Sequence, residues 1–132
     1  MAWNDVQGGI QFTRSADGGM TWDDPVNVTS PGDEPFSSPW ALVDASGRVH
    51  VLYYSLTTES SSRLVLATWT PSGTTWWTLA SNVTGFEARP SNTDMAHMVA
   101  GPDGRLAVVW GDRGSDVASV AFLRPAADAP QA

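Results

Sequence analysis

Short runs in which apolar and polar positions alternate recur along the whole chain. Val49-His50-Val51-Leu52-Tyr53-Tyr54 and Leu106-Ala107-Val108-Val109-Trp110 are rich in β-branched and aromatic residues, with turn-forming residues on both sides. No window combines helical periodicity with caps at its two ends. The pattern predicts an all-β fold. Asp103-Gly104 separates Met98-Val99-Ala100 from the second of these runs and predicts a hairpin, because such a turn needs a residue at positive φ. Asp44-Ala45-Ser46-Gly47 stands in the same way between Trp40-Ala41-Leu42-Val43 and the first run.

The two hairpins are copies of one unit: an apolar strand, a turn closing in Gly-Arg, then a longer strand with an aromatic end. Gly47 and Gly104 stand 57 residues apart. A third strand follows each unit: Phe12-Thr13-Arg14 resembles Phe122-Leu123-Arg124, and Leu66 falls 54 residues after Phe12. Trp22 and Trp76 are also 54 residues apart, and Trp3-Asn4-Asp5 shares a Trp-x-Asp strand end with Trp110-Gly111-Asp112. A period of roughly 55 residues holding about four strands is that of a β-propeller blade. The middle blade is predicted complete, with strands at 40–44, 48–54, 64–69 and 76–81. The first retains the end of a second strand at 2–3, a third at 10–14 and a fourth at 22–28. The last has strands at 97–100, 106–110 and 117–123. The predicted organisation is a partial propeller over 1–124, with blades of approximately 1–35, 36–85 and 86–124, and a flexible Ala/Pro tail over 125–132. About two and a half blades cannot close a ring, so the chain reads either as part of a longer parent or as a unit that assembles with itself.

Ser15-Ala16-Asp17-Gly18-Gly19-Met20-Thr21-Trp22 fits the pattern Ser-x-Asp-x-Gly-x-Thr-Trp at every defined position, and it lies between a predicted third and fourth strand. In such a hairpin loop Asp17 is placed to accept inward-pointing backbone N–H groups. Gly19 supplies a conformation that side chains resist, and Ser15 and Thr21 tie the loop to its flanks. Trp22 is predicted to enter the space between sheets, where its loss would cost ~3–5 kcal/mol. A decayed copy follows: Gly73, Thr75 and Trp76 keep the second half of the motif, while Pro71 and Trp69 replace its aspartate and serine. On these residues the chain resembles the Asp-box, or bacterial neuraminidase repeat, propellers of the sialidase-like kind. The resemblance implies incomplete four-stranded antiparallel blades, and in these families the box lies on the outer rim, away from the active face.

The same resemblance implies glycan binding or hydrolysis by a parent protein. Sialidase-like enzymes use three arginines around the substrate carboxylate, a tyrosine nucleophile helped by a glutamate, and an aspartate acid/base. None of these sets is evident here, so the isolated chain is expected to be inactive. Arg89, before the inner strand of the last blade, and Asp94 and His97, which flank that strand, are the candidates to line a central funnel. Arg48 and Arg105 follow turn glycines and read as solvated. Tyr53 and Tyr54 are adjacent on one strand, so they face opposite ways and read as packing residues. Glu59 and Glu87 sit in loops with no evident tyrosine partner. The alternative is a non-catalytic binding or scaffold module that completes its ring by self-association, with Trp40, Trp77 or Trp110 available to stack on sugar.

Composition narrows the partners. The 132 residues include seven tryptophans and 42% apolar residues, enough for a packed core. The net charge is −7 and all seven cations are arginines, so no basic stripe exists for a nucleic acid, and an anionic membrane surface would repel the chain. With no cysteine and two distant histidines, neither a disulfide nor a structural zinc site is expected. Neither calcium-loop spacing nor a phosphate cradle is present, so no metal or cofactor is implied. The N-terminal residues lack the basic and apolar stretches of a signal peptide, and no apolar run has membrane-spanning length. The chain is expected to be soluble, a secreted parent stays open, and the sequence fixes no compartment.

Overall fold

The computed structural model describes residues 1–5, 7–35, 38–58, 61–83, 96–111 and 118–123. Among them there is no helix, and eleven strands form three antiparallel sheets. The first sheet is β1 (Ala2–Asp5), β2 (Gly9–Phe12) and β3 (Val26–Asn27) in that order. The second contains β4 (Glu34–Pro35), β5 (Trp40–Val43), β6 (Val49–Thr58), β7 (Ser61–Thr70) and β8 (Gly73–Val83). The third is β9 (His97–Ala100), β10 (Leu106–Gly111) and β11 (Ala118–Leu123), with β10 in the centre. The predicted all-β fold class is borne out and is consistent with an incomplete propeller, although the sheets have three, five and three strands where four-stranded blades were expected, and among the described residues no sheet closes into a barrel.

The alternation in β6 explains the stacking. Val49, Val51 and Tyr53 point to one side of the second sheet, and Leu52 and Tyr54 to the other. β7 alternates in step, with Val65 and Ala67 against Leu64 and Leu66. Each side meets a neighbour. The first group packs with Ile10, Phe12 and Val28 of the first sheet and its flank, and the second with Met98, Leu106 and Val108 of the third. The second sheet is therefore apolar on both faces, as a strand ladder buried on both sides must be. It separates two cores, and a one-residue slip of β6 would exchange every side chain between them.

Three features depart from the predicted strands. The second sheet gains β4, because ten-residue β6 outruns β5 and leaves Ser55 and Leu56 to pair with Pro35 and Glu34. The second sheet thus draws on chain from position 34, ahead of the predicted blade limit at 36. β8 begins at Gly73 and carries a bulge opposite Leu64 and Val65, while Trp77 and Leu79, two residues apart, both pack toward the third sheet. The fourth strand predicted over 22–28 is only Val26–Asn27. Pro25 has no N–H to give to a ladder, and the chain from Trp22 to Asp24 belongs to the preceding loop.

Both sequence-predicted hairpins of the Gly-Arg kind close alike. Gly47 and Gly104 have φ of 85° and 79°, and their N–H groups donate to Asp44 O and Gly101 O at 3.0 and 3.1 Å. Side chains resist this left-handed backbone, which accounts for glycine at both places.

Candidate functional site

The Asp-box loop spans 15–22 between β2 and β3, and its neck is closed by the Asp23 N–H donating to Arg14 O at 2.9 Å. Inside the loop Asp17 acts as the hub. Its Oδ1 accepts from Met20 N–H, Thr21 N–H and the Ser15 hydroxyl at 3.0, 2.9 and 2.8 Å, and its Oδ2 accepts from the Thr21 hydroxyl at 2.6 Å. Ser15 Oγ in turn accepts from Gly19 N–H at 2.8 Å, and Gly19 has φ of 94°. These bonds, the Thr21 hydroxyl foremost, hold the Asp17 carboxyl well below the usual carboxylate range. Both carboxylate oxygens of Asp17 bond back onto the loop, which makes the loop a clasp.

Trp22 lies where the prediction did not put it. It is 52% exposed and does not enter the space between sheets. The reason is visible 54 residues later. Trp76, its counterpart, packs on the core shared by the first and second sheets, and its indole N–H donates to Val28 O at 2.8 Å. The tryptophan after the loop thus fastens its sheet to the preceding one. For Trp22 no described sheet precedes the first, so the indole stays in solvent, and the full burial cost predicted for it does not apply.

The degenerate copy is shortened to a tight hairpin in which Thr70 pairs with Gly73 and Trp69 with Thr74. Thr75 continues the ladder opposite Thr68. The Thr70 hydroxyl accepts from Ser72 N–H at 3.2 Å and so caps the turn where the aspartate is missing. Trp69, in the serine's place, makes an edge contact with Phe12 at 5.2 Å between centroids, and the Arg14 guanidinium lies 5.0 Å from its ring centroid.

Of the three candidate funnel residues, Arg89 and Asp94 lie outside the described residues, as do Glu59, Glu87 and the 125–132 tail. His97 is described. It stands exposed on β9, beside β5, and its ring meets that of Trp40 edge-on at 4.5 Å. The Trp40 indole N–H donates to Met98 O at 3.1 Å, which fixes the ring across the gap between the inner strands. A cavity of about 110 Å³ opens next to it, lined by His97, Met98, Val99, Ala107, Val108 and Val109. Trp77 and Trp110 pack onto the core between the second and third sheets, so Trp40 is the indole of the three that reaches solvent at the inner strands.

Two buried polar networks were not foreseen. In the first, Asp44 accepts from the Ser46 N–H and hydroxyl at 2.8 and 2.6 Å, from Arg48 N–H at 3.2 Å and from Arg48 Nε at 2.8 Å. Its Oδ2 also lies 2.9 Å from His50 Nε2, and His50 Nδ1 lies 3.0 Å from Thr68 Oγ1. Ionised Asp44 only accepts, so Nε2 carries the proton, and Nδ1 of the neutral ring accepts from the Thr68 hydroxyl. Burial, helped by the Arg48 cation, keeps His50 below its ordinary value against the pull of Asp44. Burial works against the Asp44 charge too, but the donors outweigh it and hold the carboxyl well below the usual range. Arg48 is therefore not the solvated residue predicted: the carboxylate on the far side of its own turn draws it in.

Hydroxyl, imidazole and carboxylate in this order are the parts of a nucleophilic triad. Here they are buried between strands, with His50 fully and Thr68 almost fully covered, and no substrate reaches them. Their effect is to pin the β5–β6 turn to β7. In the third sheet Gly101 and Ala107 occupy the places of Asp44 and His50, so both partners are lost together.

The second network ties the segment between the first and second sheets. The Tyr53 hydroxyl donates to Asp33 Oδ2 at 2.7 Å and accepts from Ser30 N–H at 2.9 Å. Arg63 pairs with the other Asp33 oxygen. Burial pushes the Tyr53 phenol well up, and Asp33 adds to it, so this tyrosine is held in its neutral form.

No protein-family model, curated protein or solved structure matches the chain.

What the geometry can do chemically follows from its charges. Each of the four described arginines is paired with an aspartate: Arg14 with Asp23, Arg48 with Asp44, Arg63 with Asp33 and Arg105 with Asp103. A site for an anionic sugar needs guanidinium forks free for its carboxylate. Among the described residues each guanidinium already has a carboxylate partner, exposed for Arg14 and Arg105, and the two best-buried carboxylates, Asp33 and Asp44, hold Arg63 and Arg48.

Proposed function

We propose that this chain is a segment of a sialidase-like Asp-box propeller that serves glycan binding or glycan hydrolysis, and that alone it does not hydrolyse sialosides. The observation that carries the reading is the Asp17 clasp, because an aspartate closing the hairpin between the last two strands of a stacked antiparallel sheet is what the motif's residues are suited to do. The engagement of the described arginines by aspartates supports the lack of turnover. The sugar contact is assigned to the inner strands. There Trp40 is held at its N–H edge, and the exposed His97 stands against its ring. An indole fixed in this way offers an apolar surface with a polar margin, which suits a sugar ring.

Two readouts on the purified chain test this. A fluorogenic sialoside should give no turnover above the buffer rate, and clear turnover would refute the inactivity. Titration with sialyllactose, followed by NMR, should shift the Trp40 indole and His97 imidazole signals while leaving Trp76 in place. Unmoved Trp40 and His97 signals up to the solubility of the sugar would count against the glycan reading.

A further inference from the structure

We infer that two copies of this chain associate head to tail, the outer face of the third sheet in one copy seating against the outer face of the first sheet in the other. The number of sheets in the resulting ring rests on the propeller reading. The contact itself rests on the sheet stack.

The chain displays the same contact twice. The side of the first sheet that carries Ile10 and Phe12 is covered by the second sheet, and the side of the second that carries Leu52, Leu64 and Leu66 is covered by the third. Each sheet therefore has a leading face, which takes the trailing face of the next. Among the described residues nothing covers the leading face of the third sheet, yet it is built as the covered ones are. Val99, Ala107 and Phe122 lie in register across its three strands, and Val109 follows on the same side. Val99 is 67% and Phe122 77% exposed. By the 57-residue repeat, Val109 stands in the place of Leu52, which is buried. Exposed His97, in register with Val109, is the polar residue at the inner end of this row, and the cavity of about 110 Å³ opens between its strands. A continuous apolar row of this kind on a sheet face marks a contact surface.

The complementary half is at the other end of the stack. The trailing face of the first sheet carries Trp3, opposite Gln11, and the half-exposed Trp22 ends the loop that joins β2 to β3. Trp22 is the counterpart of the residue with which the second sheet grips the first through Val28 O. One copy thus offers a leading face that lacks its tryptophan, and another offers a tryptophan that lacks its leading face. A second copy is the occupant because it continues an interface already present twice, with the same residue in the same role. Each copy brings three sheets, so two bring six, within the four to eight blades of closed propellers. A head-to-tail contact closes when the rotation allows it, and closure at two is the form inferred here.

Sedimentation velocity on the full chain over a range of concentrations tests the inference. The wild type should sediment as a dimer that dissociates on dilution. Phe122→Glu and Trp22→Glu should each shift it to monomer at concentrations where the wild type is dimeric, and Val99→Lys should repeat the effect of Phe122→Glu. An unchanged far-ultraviolet circular dichroism spectrum and an unchanged Trp76 indole signal would confirm that the variants fold. A wild type that remains monomeric throughout would overturn the inference. So would a ladder of higher species, or a dimer that survives Trp22→Glu but not Phe122→Glu, since that outcome means pairing of like faces. None of these readouts involves sugar, so failure here leaves the glycan assays to be judged separately.

Discussion

His50 carries the clearest consequence of burial at a single residue. Its ring is fully covered and neutral, held between the Asp44 carboxylate and the Thr68 hydroxyl. In the unfolded chain it titrates near its ordinary value of 6.5, whereas burial holds it lower in the folded one. Between the two values the unfolded state binds more protons, so stability rises with pH across that interval and is lost as pH falls through it. Asp44 and Asp17, both held below the usual carboxylate range, act in the same direction further down. Their contribution is present above about 4 and disappears as pH falls through their lowered values. Thermal melts should therefore show the midpoint falling from pH 7 toward 5 and again below about 4. His50→Asn should remove the first fall and leave the second. An unchanged slope between pH 7 and 5 in that variant would contradict the assignment. Little of this network was legible in the sequence. Asp44-Ala45-Ser46-Gly47 announces a turn, but that its carboxylate faces His50 and Arg48 follows only once β5, β6 and β7 are paired. The sequence alone left Arg48 in solvent for that reason.

Among elements, the decisive contact is a loop-end tryptophan laid on the preceding sheet. Trp76 and Trp22 are equivalent in sequence but not in surroundings: one is hydrogen-bonded to Val28 O on a core face, and the other is half exposed. Trp76→Ala removes a partly buried indole and its hydrogen bond, and should lower the stability of the chain by ~2–4 kcal/mol in urea unfolding. Trp22→Ala, measured at concentrations where the chain is monomeric, should cost less than ~1 kcal/mol. Equal losses would mean that the two indoles do the same work. The strands themselves were legible because β-branched alternation between turn residues names both the element and its two faces. Strand ends were less so. The β8 bulge and the short β4 are set by what lies alongside, and Pro25 shortens the fourth strand locally. Trp22 was misplaced because the motif specifies which way the indole goes but not whether a sheet waits there.

At the scale of the whole molecule, the described residues form a stack of three sheets with two cores, and its order follows from the parity of β6. Val49, Val51 and Tyr53 belong to the first interface and Leu52 and Tyr54 to the second, so both cores draw on the same strand. This was the most readable part of the sequence, since the roughly 55-residue repeat and the alternating pattern agree at several landmarks. The candidate site was the least readable. Arg89 and Asp94 lie outside the described residues, and Trp40 came to His97 through the side-by-side placement of β5 and β9, which no local pattern encodes. The stack is tested most directly by nuclear Overhauser contacts in a methyl- and aromatic-labelled sample. Val49 and Val51 should give contacts to the Ile10 and Phe12 group, and Leu52 and Leu66 to the Met98, Leu106 and Val108 group, with no crossing between the sets. Contacts from Val51 to the third sheet, or from Leu52 to the first, would contradict the account.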